Sequence, residues 1–321
     1  MKAIAIDGDH LTWREHPGEA CGPGHIRIRV AASAVNRADL LQRRGGYSPP
    51  PGTSDILGLE CSGEVAEVGE GVQRFKVGDA VCALLAGGGY ADEVVVPAGQ
   101  ALPIPKGIDL IAAAAIPEVF ATAYLNLYLE AGLKPQQRVL VHAGASGVGT
   151  AAIQLLRLSH NPTFVTAGSS AKVAQCVALG ADRGHDRHAG SFMARVEAWS
   201  AGEGVDVILD PVGGQYFQDN LQVLGLGGRL VVIGLMGGAQ TDFNLATLML
   251  KRLRVIGSTL RARSPSEKSL VMDALYQRVW PAFESGQVQP IIEASMPITQ
   301  AHQAHERLAG NETVGKILLL T

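Results

Sequence analysis

The stretch "RVLVHAGASGVGTAAIQLLRL", Arg138 to Leu158, decides the fold, because its glycine-rich centre is compatible with two unrelated kinds of chemistry. Val139, Leu140 and Val141 make a short apolar strand. Val148, Ala151, Ala152, Leu155 and Leu156 then fall at i, i+3, i+4, i+7 and i+8, one buried face of a helix. Between them stands Gly144-x-Ser146-Gly147-x-Gly149, the dinucleotide fingerprint G-x-G-x-x-G with serine at its middle position. A small residue there still lets the backbone approach a pyrophosphate, whose charge is met by free N–H groups and the positive helix end. The same residues resemble the elbow G-x-S-x-G that presents a serine nucleophile. That turn needs glycine at position 148, where a Cβ crowds the strained backbone, and the chain has Val148. His185, His188, His302 and His305 offer no placement that a serine triad would single out. A dinucleotide turn is therefore expected, with the pyrophosphate over Ser146, Gly147 and Val148.

Downstream of the turn comes a β-α alternation: strand "TFVTAG", helix "SAKVAQCVALG", strand "VDVILDPVGG", another helix, strand "GGRLVVIG" and strand "RVIGSTL". Apolar strands separated by helices predict a doubly wound parallel sheet, a Rossmann α/β fold. Upstream, "DLIAAAAIPEVFATAYLNLYLEAG" reads as helix interrupted at Pro117 and stopped at Gly132. The first hundred residues have another texture. "HIRIRVAA" alternates Ile26, Ile28 and Val30 against Arg27 and Arg29, and turn signals such as Gly45-Gly46 and Gly87-Gly88-Gly89 recur at short spacing. Short strands with frequent turns predict an antiparallel or partly open barrel. The tail, with helix "LVMDALYQRVWPAFESG" and strand "GKILLL", falls outside the alternation and is expected to rejoin the first domain.

The chain has 321 residues, and a prior of roughly 150 per domain suggests two domains with a cleft between them. Net charge is −3 with no long run of one sign, which argues against nucleic acid or an anionic membrane as partner and for a small molecule. No uncharged run reaches the roughly 18 apolar residues of a membrane span, and "MKAIAIDGDH" has no signal-type apolar region, so a cytoplasmic protein is expected. Cys21, Cys61, Cys82 and Cys176 form no C-x-x-C pair and read as buried free thiols. His302 and His305, at i, i+3, lack a third ligand nearby and read as a solvated helix face rather than a metal site.

A site specific for NAD carries Asp or Glu at the end of the second strand to bond the ribose hydroxyls. Here that strand ends "AGSSAK", without a carboxylate; Gly168 is followed by Ser169 and Lys172 on the first turn of the next helix, with Arg187 beyond. Hydroxyl, ammonium and guanidinium groups there suit a 2′-phosphate, so NADPH is the expected cofactor.

Over nearly its whole length the chain resembles the zeta-crystallin-like NADPH:quinone oxidoreductases, zinc-free members of the medium-chain dehydrogenase/reductase superfamily. The likeness runs from "MKAI" through "SAVNRADLLQRRGGYSPPPG", "ILGLECSGEV", "AGASGVGTAAIQL", "TAGS" and "VIGLMGG" to "HERLAGNETVGKILL". It implies a GroES-like β-barrel catalytic domain from residues 1–117 and 265–321, and a Rossmann NADPH-binding domain over residues 118–264. Zinc-dependent relatives hold the metal with a cysteine early in the first domain and a histidine in "G-H-E". This chain has Asn36 and Gly58-Leu59-Glu60 at those places, and "AGGGYADEVVVP" where a lobe of four cysteines would lie, so no metal is expected.

The resemblance further implies that Asn36 and Tyr47 line the pocket over the nicotinamide, the one offering an amide and the other a phenol to a quinone oxygen. Thr122, the segment Gly234, Leu235 and Met236 to Gly238, and the segment Ser258 through Leu260 to Arg261 would flank the nicotinamide. A homodimer joined by the edge of the last Rossmann strand, in "LKRLRVIGSTL", is implied as well. The expected activity is NADPH-dependent quinone reduction. The alternatives are an NADPH-dependent enone (alkenal/one) reductase, a non-catalytic NADPH-binding crystallin-like protein, and, from the elbow reading, an esterase. Asp210, closing "VILDPVGG", reads as a turn former rather than a catalytic acid.

Overall fold

Ile26, Ile28 and Val30 are buried on one face of strand β3 (His25–Ala34), while Arg27 and Arg29 on the other face pair with Glu67, Glu93 and Glu64. This period of two builds the first unit of the computed structural model, which describes residues 1–321. The unit comprises residues Met1–Ala121 and Leu260–Thr321. Its main sheet has the order β14-β15-β3-β4-β5-β7, from Ile292–Pro297, Lys316–Leu320, β3, Glu60–Val68, Ala80–Leu84 and Ala101–Pro103. Strand β6 (Glu93–Pro97) also pairs with β3. Strands β1 (Lys2–Asp7) and β2 (His10–Glu15) form a separate ribbon. The tail rejoins this unit, as β15 pairs antiparallel with β3. The short helix α1 (Arg37–Arg43) follows β3 at once, and helices α8 (Pro265–Arg278), α9 (Trp280–Glu284) and α10 (Ala301–Ala309) belong to the tail.

The second unit is Thr122–Thr259. Its six strands are β8 (Val139–Val141), β9 (Thr163–Ala167), β10 (Arg183–Asp186), β11 (Val205–Asp210), β12 (Leu224–Val232) and β13 (Arg254–Gly257). All pair parallel in the order β10-β9-β8-β11-β12-β13. The order reverses direction between β8 and β11, the switch point at which doubly wound sheets bind ligands. Crossover helices are α3 (Gly147–Leu158), α4 (Ser170–Leu179), α5 (Met193–Trp199), α6 (Gly214–Val223) and α7 (Leu245–Leu250). Strand β10, "RGHD", was not legible as a strand, because four mainly polar residues carry no periodic signal.

The alanine-rich segment differs from its expected form. Pro117 begins helix α2 (Pro117–Tyr124) instead of interrupting one, which suits a residue whose missing N–H costs nothing in a first turn. A 3-10 turn (Ala112–Ala115) precedes it and a π turn (Leu125–Glu130) follows. The run Ala112–Glu130 is long and apolar enough to cross a membrane by composition, but 67% of it is buried inside the fold. The expected limit after 117 lies four residues before the observed division after Ala121, and the limit after 264 lies five residues beyond the division after Thr259.

Candidate functional site

Strand register places the segments after the Rossmann strands along one edge of the sheet. Val141 lies beside Val165 and Leu209, Asp186 beside Ala167, and Val232 beside Asp210 and Gly257. The turn at 142–146, Gly168-Ser169, Arg187, the loop Gly234-Leu235-Met236 and Ser258 therefore share the carboxyl edge.

The glycine turn is built for close backbone approach. Ala143 takes a left-handed conformation (φ 52). A Cβ on Gly144 would stand 2.8 Å from Val165 Cβ, and one on Gly149 would stand 2.4 Å from the carbonyl of Ala143. Ser146 is the N-cap of α3, its Oγ accepting the N–H of Gly149 at 3.0 Å. The nearby His142 is no base for it: burial lowers the imidazole to about 4, and both ring nitrogens are engaged, with Thr166 at 2.9 Å and Asn220 at 2.7 Å. The turn thus has the features of a phosphate cradle and lacks those of a nucleophile elbow. Ser146→Ala is expected to cost about 1 kcal/mol of stability through the lost cap and to leave no hydrolase activity to lose. Thermal melting and an ester-substrate assay would check both, and an esterase rate abolished by the substitution would refute the cradle.

At the end of β9, Ser169 caps α4 by accepting the N–H of Lys172 at 3.2 Å. The Arg187 guanidinium reaches the same place, since a Cβ built on Gly168 lies 3.8 Å from its Nε. The nearest acid is Asp186, whose carboxylate is held by Ser170 Oγ at 3.2 Å and by the N–H of His188 at 3.0 Å. Asp210, expected to form a turn, does so by accepting from Val212, Gly213 and Asn220. At the end of β13, Ser258 Oγ is buried with no hydrogen-bond partner, an orphaned donor suited to a ligand at this edge.

In the first unit the substrate-pocket expectations need revision. Asn36 precedes α1 as its N-cap, and its amide is fully committed. Nδ2 donates to Ala34 O at 3.1 Å and Glu60 Oε1 at 3.0 Å, while Oδ1 accepts from Lys316 Nζ at 2.6 Å. No hydrogen remains for a quinone. Arg261 was expected beside the cofactor, yet it is 3% exposed and donates to Ala86 O, Gln42 Oε1 and Tyr47 O. Its guanidinium lies over the Tyr47 ring at 5.2 Å, so it fixes the loop that carries Tyr47. Leu260 beside it is also buried. Tyr47 is half-buried, and its phenol is pushed up by burial first and by the Glu118 charge second. Helix α2 carries Glu118 in its first turn and Thr122 one turn later, with Thr122 O accepting from Asn126.

Sequence reasoning missed a buried ionic cluster around Asn36. Glu60 pairs with Lys316 at 2.8 Å, the two being 0% and 4% exposed at their side chains. Asp39 accepts from the N–H groups of Asn36 and Gly58 and from the Tyr90 hydroxyl. Burial raises Asp39 to about 6. His305 was expected on a solvated helix face; it is buried against Tyr90, 3.1 Å from its hydroxyl, and burial lowers it to about 3. "GLE", "VGK" and "IPE" were the only visible traces of Glu60, Lys316 and Glu118, three charges in otherwise apolar runs.

The chain does not fit a zinc ion where zinc-dependent relatives carry one. Leu59 is buried hydrocarbon, Asn36 is spent on its neighbours, and no group of three His, Cys, Asp or Glu could hold a metal. Burial raises the Cys61 and Cys82 thiols, which opposes the thiolate that zinc requires.

Residues 147–276 match the family described as zinc-binding dehydrogenase, and residues 22–106 match the alcohol dehydrogenase GroES-like domain. The mouse protein named synaptic vesicle membrane protein VAT-1 homolog is 31% identical over 94% of this chain and 77% of its own length. Rat quinone oxidoreductase is 29% identical over 92% of this chain and 88% of its own. Escherichia coli quinone oxidoreductase complexed with NADPH superposes with a TM-score of 0.87 at 28% identity, covering 100% of this chain and 99% of that one. An NAD-dependent alcohol dehydrogenase gives 0.87 at 29% identity with 100% of both chains covered. The enoyl reductase CurK gives 0.87 at 26% identity, covering 99% of this chain and 98% of its own. With both family segments, a GroES-like domain beside a Rossmann sheet and these full-length likenesses, the chain belongs to the medium-chain dehydrogenase/reductase superfamily and is quinone oxidoreductase-like within it.

Proposed function

We propose that the chain is an NADPH-dependent reductase that passes reducing equivalents to a quinone without a metal. The observation that carries the reading is the end of β9, where the Arg187 guanidinium reaches Gly168, Lys172 stands in the first turn of α4 beyond the Ser169 cap, and no carboxylate occupies the strand end. These cations and Ser169 would hold the 2′-phosphate, Gly144 to Val148 the pyrophosphate, and Thr122, Gly234, Leu235, Met236 and Ser258 the nicotinamide end. Bound NADPH supplies hydride, and a quinone accepts it without a Lewis acid because electron gain restores aromaticity.

Tyr47, with no hydrogen bond on its hydroxyl and its ring held under Arg261, is the donor offered to the acceptor oxygen. Asn36 serves by orienting Glu60 and Lys316. The likeness to quinone oxidoreductases supports this acceptor, while the likeness to CurK favours an enone as the second reading. A homodimer paired along the exposed strand β13, where Val255 is 41% exposed, and a cytoplasmic location complete the proposal. Oxidation of NADPH and NADH against ortho-quinones and unsaturated ketones is the test. Turnover of quinones with NADPH preferred is the expected result; activity on enones alone would overturn the acceptor, and preference for NADH would overturn the phosphate site.

A further inference from the structure

We propose that His142 is a positioning residue for the dinucleotide, fixing the glycine turn through a one-way relay of hydrogen bonds that runs from Thr166 through His142 and Asn220 to Asp210; this rests on the cofactor reading above. All four side chains belong to the Thr122–Thr259 unit, and each residue is at most 2% exposed. They meet where three strands end: His142 follows β8, Thr166 is the last residue but one of β9, Asp210 closes β11, and Asn220 faces them from α6. The imidazole is packed against Phe192 and Tyr216, with ring centroids 4.8 Å away in each case. Hydrocarbon would fill that space as well. What it could not do is bond in two directions at once.

Asp210 sets the direction of every bond. Its carboxylate accepts the N–H of Val212 at 2.6 Å, the N–H of Gly213 at 3.2 Å and Asn220 Nδ2 at 3.1 Å. A carboxylate accepts and never donates, so the Asn220 amide turns its nitrogen to Asp210 and its oxygen to His142. Oδ1 of Asn220 lies 2.7 Å from His142 Nε2, which therefore carries the ring proton. Nδ1 is then the bare nitrogen, and it accepts the Thr166 hydroxyl at 2.9 Å. Burial keeps the ring neutral, lowering it to about 4, while Asp210, raised by burial to about 6, is still the anion at neutral pH.

The relay brackets the turn. The backbone of His142 donates to Leu209 O at 3.1 Å and that of Gly144 donates to Thr166 O at 2.8 Å, so segment 142–144 is tied to β11 on one side and to β9 on the other. Between them Ala143 is left-handed, a conformation that alanine keeps only where its surroundings impose it. Past it, the N–H groups of Ala145, Gly147 and Val148 have no acceptor in the chain and are the donors left for a pyrophosphate. Their aim follows the turn. Without the Thr166 hydroxyl the segment keeps one tie to β9 in place of two.

The test uses two substitutions that separate the hydroxyl from its packing. Thr166→Val keeps the volume and loses the donor, whereas Thr166→Ser keeps the donor and loses a buried methyl. Fluorescence titration of NADPH and NADH, at a temperature where each variant is folded, is set beside Tm. Thr166→Val should weaken both nucleotides by the same factor, about tenfold, because the pyrophosphate is common to them. Thr166→Ser should bind both within about twofold of the wild type although it melts lower. If affinity follows Tm across the pair, or if Thr166→Val binds as tightly as the wild type, the network is packing alone and the positioning role is overturned. Nitrogen NMR of ring-labelled histidine reads the relay directly: the His142 signals, assigned by their loss in His142→Gln, should show a neutral ring with its proton on Nε2 near neutral pH. A proton on Nδ1 overturns the relay even if NADPH binds. A wild type that has the expected tautomer but binds neither nucleotide overturns the cofactor reading, and the positioning role falls with it.

Discussion

Replacing Lys172 and Arg187 together by alanine is expected to weaken NADPH binding by about a thousandfold while changing NADH binding by no more than about twofold. A charge-assisted hydrogen bond contributes roughly 1.5–3 kcal/mol, and every 1.4 kcal/mol is about tenfold in affinity. Two such contacts to one phosphate give about 10²- to 10⁴-fold, less any coupling between neighbours. The selectivity of the loss follows from where the two cations stand. Lys172 lies on the first turn of α4 behind the Ser169 cap, and Arg187 leans against Gly168 at the end of β9. Neither is part of the glycine turn, so the pyrophosphate contacts shared by both nucleotides remain. With the cations gone, Asp186, bonded to Ser170 in the first turn of α4, remains, and it repels a phosphate more than a hydroxyl. Fluorescence titration of the reduced nicotinamides measures both constants. Equal losses for NADPH and NADH would show that the two side chains support the fold rather than read the phosphate.

Lys316→Met is expected to lower Tm by about 6–20 °C. The substitution keeps most of the aliphatic stem but leaves Glu60, a side chain with 0% exposure, without its cation. Removing one partner of a buried pair costs about 3–5 kcal/mol, and a unit of this size loses about 2–4 °C per kcal/mol. The double variant Lys316→Met with Glu60→Gln should recover much of the loss, because no uncompensated charge remains. Calorimetry of the two variants decides the matter. If the double variant melts no higher than the single one, the deficit lies in packing and not in the stranded carboxylate.

The parallel sheet and its glycine turn were legible because their signals are local. Val139 to Val141 and the apolar face of α3 lie within twenty residues of one another, and each reports its own element. The return of the tail to the first unit was legible as well, since "GKILLL" stands outside the β-α alternation and pairs with β3. The ionic cluster was not, because its members meet only through topology. Asn36 and Glu60 are 24 positions apart and Asn36 and Lys316 are 280 apart, and nothing in the period of either strand reports a partner at that separation. Asn36 and Arg261 were expected to face a ligand because the family resemblance assigns those positions to the pocket, and a resemblance does not report which side-chain groups are already bonded within the chain. Both are satisfied inside the protein, Asn36 by Glu60 and Lys316, and Arg261 by Ala86, Gln42 and Tyr47. His305 was misplaced for another reason: it was read as solvated from its polar surroundings in the sequence, and Gln303 and Glu306 are indeed exposed, while it points inward to Tyr90.

The last strand carries a consequence for the order of assembly. Residues Lys316–Leu320 supply both the pairing partner of β3 and the only cation bonded to Glu60. A ribosome therefore releases every residue of the unit spanning Thr122–Thr259 well before it releases the final strand of the unit that begins at Met1. Domains commonly fold from the N-terminus as they emerge, and here that order is inverted. The nascent first unit waits with the end of β3 at Ala32–Ala34 lacking its β15 partner and a buried acid uncompensated, so a chain cut short by even its last few residues would present to chaperones and proteases a finished Rossmann sheet attached to an unclosed barrel.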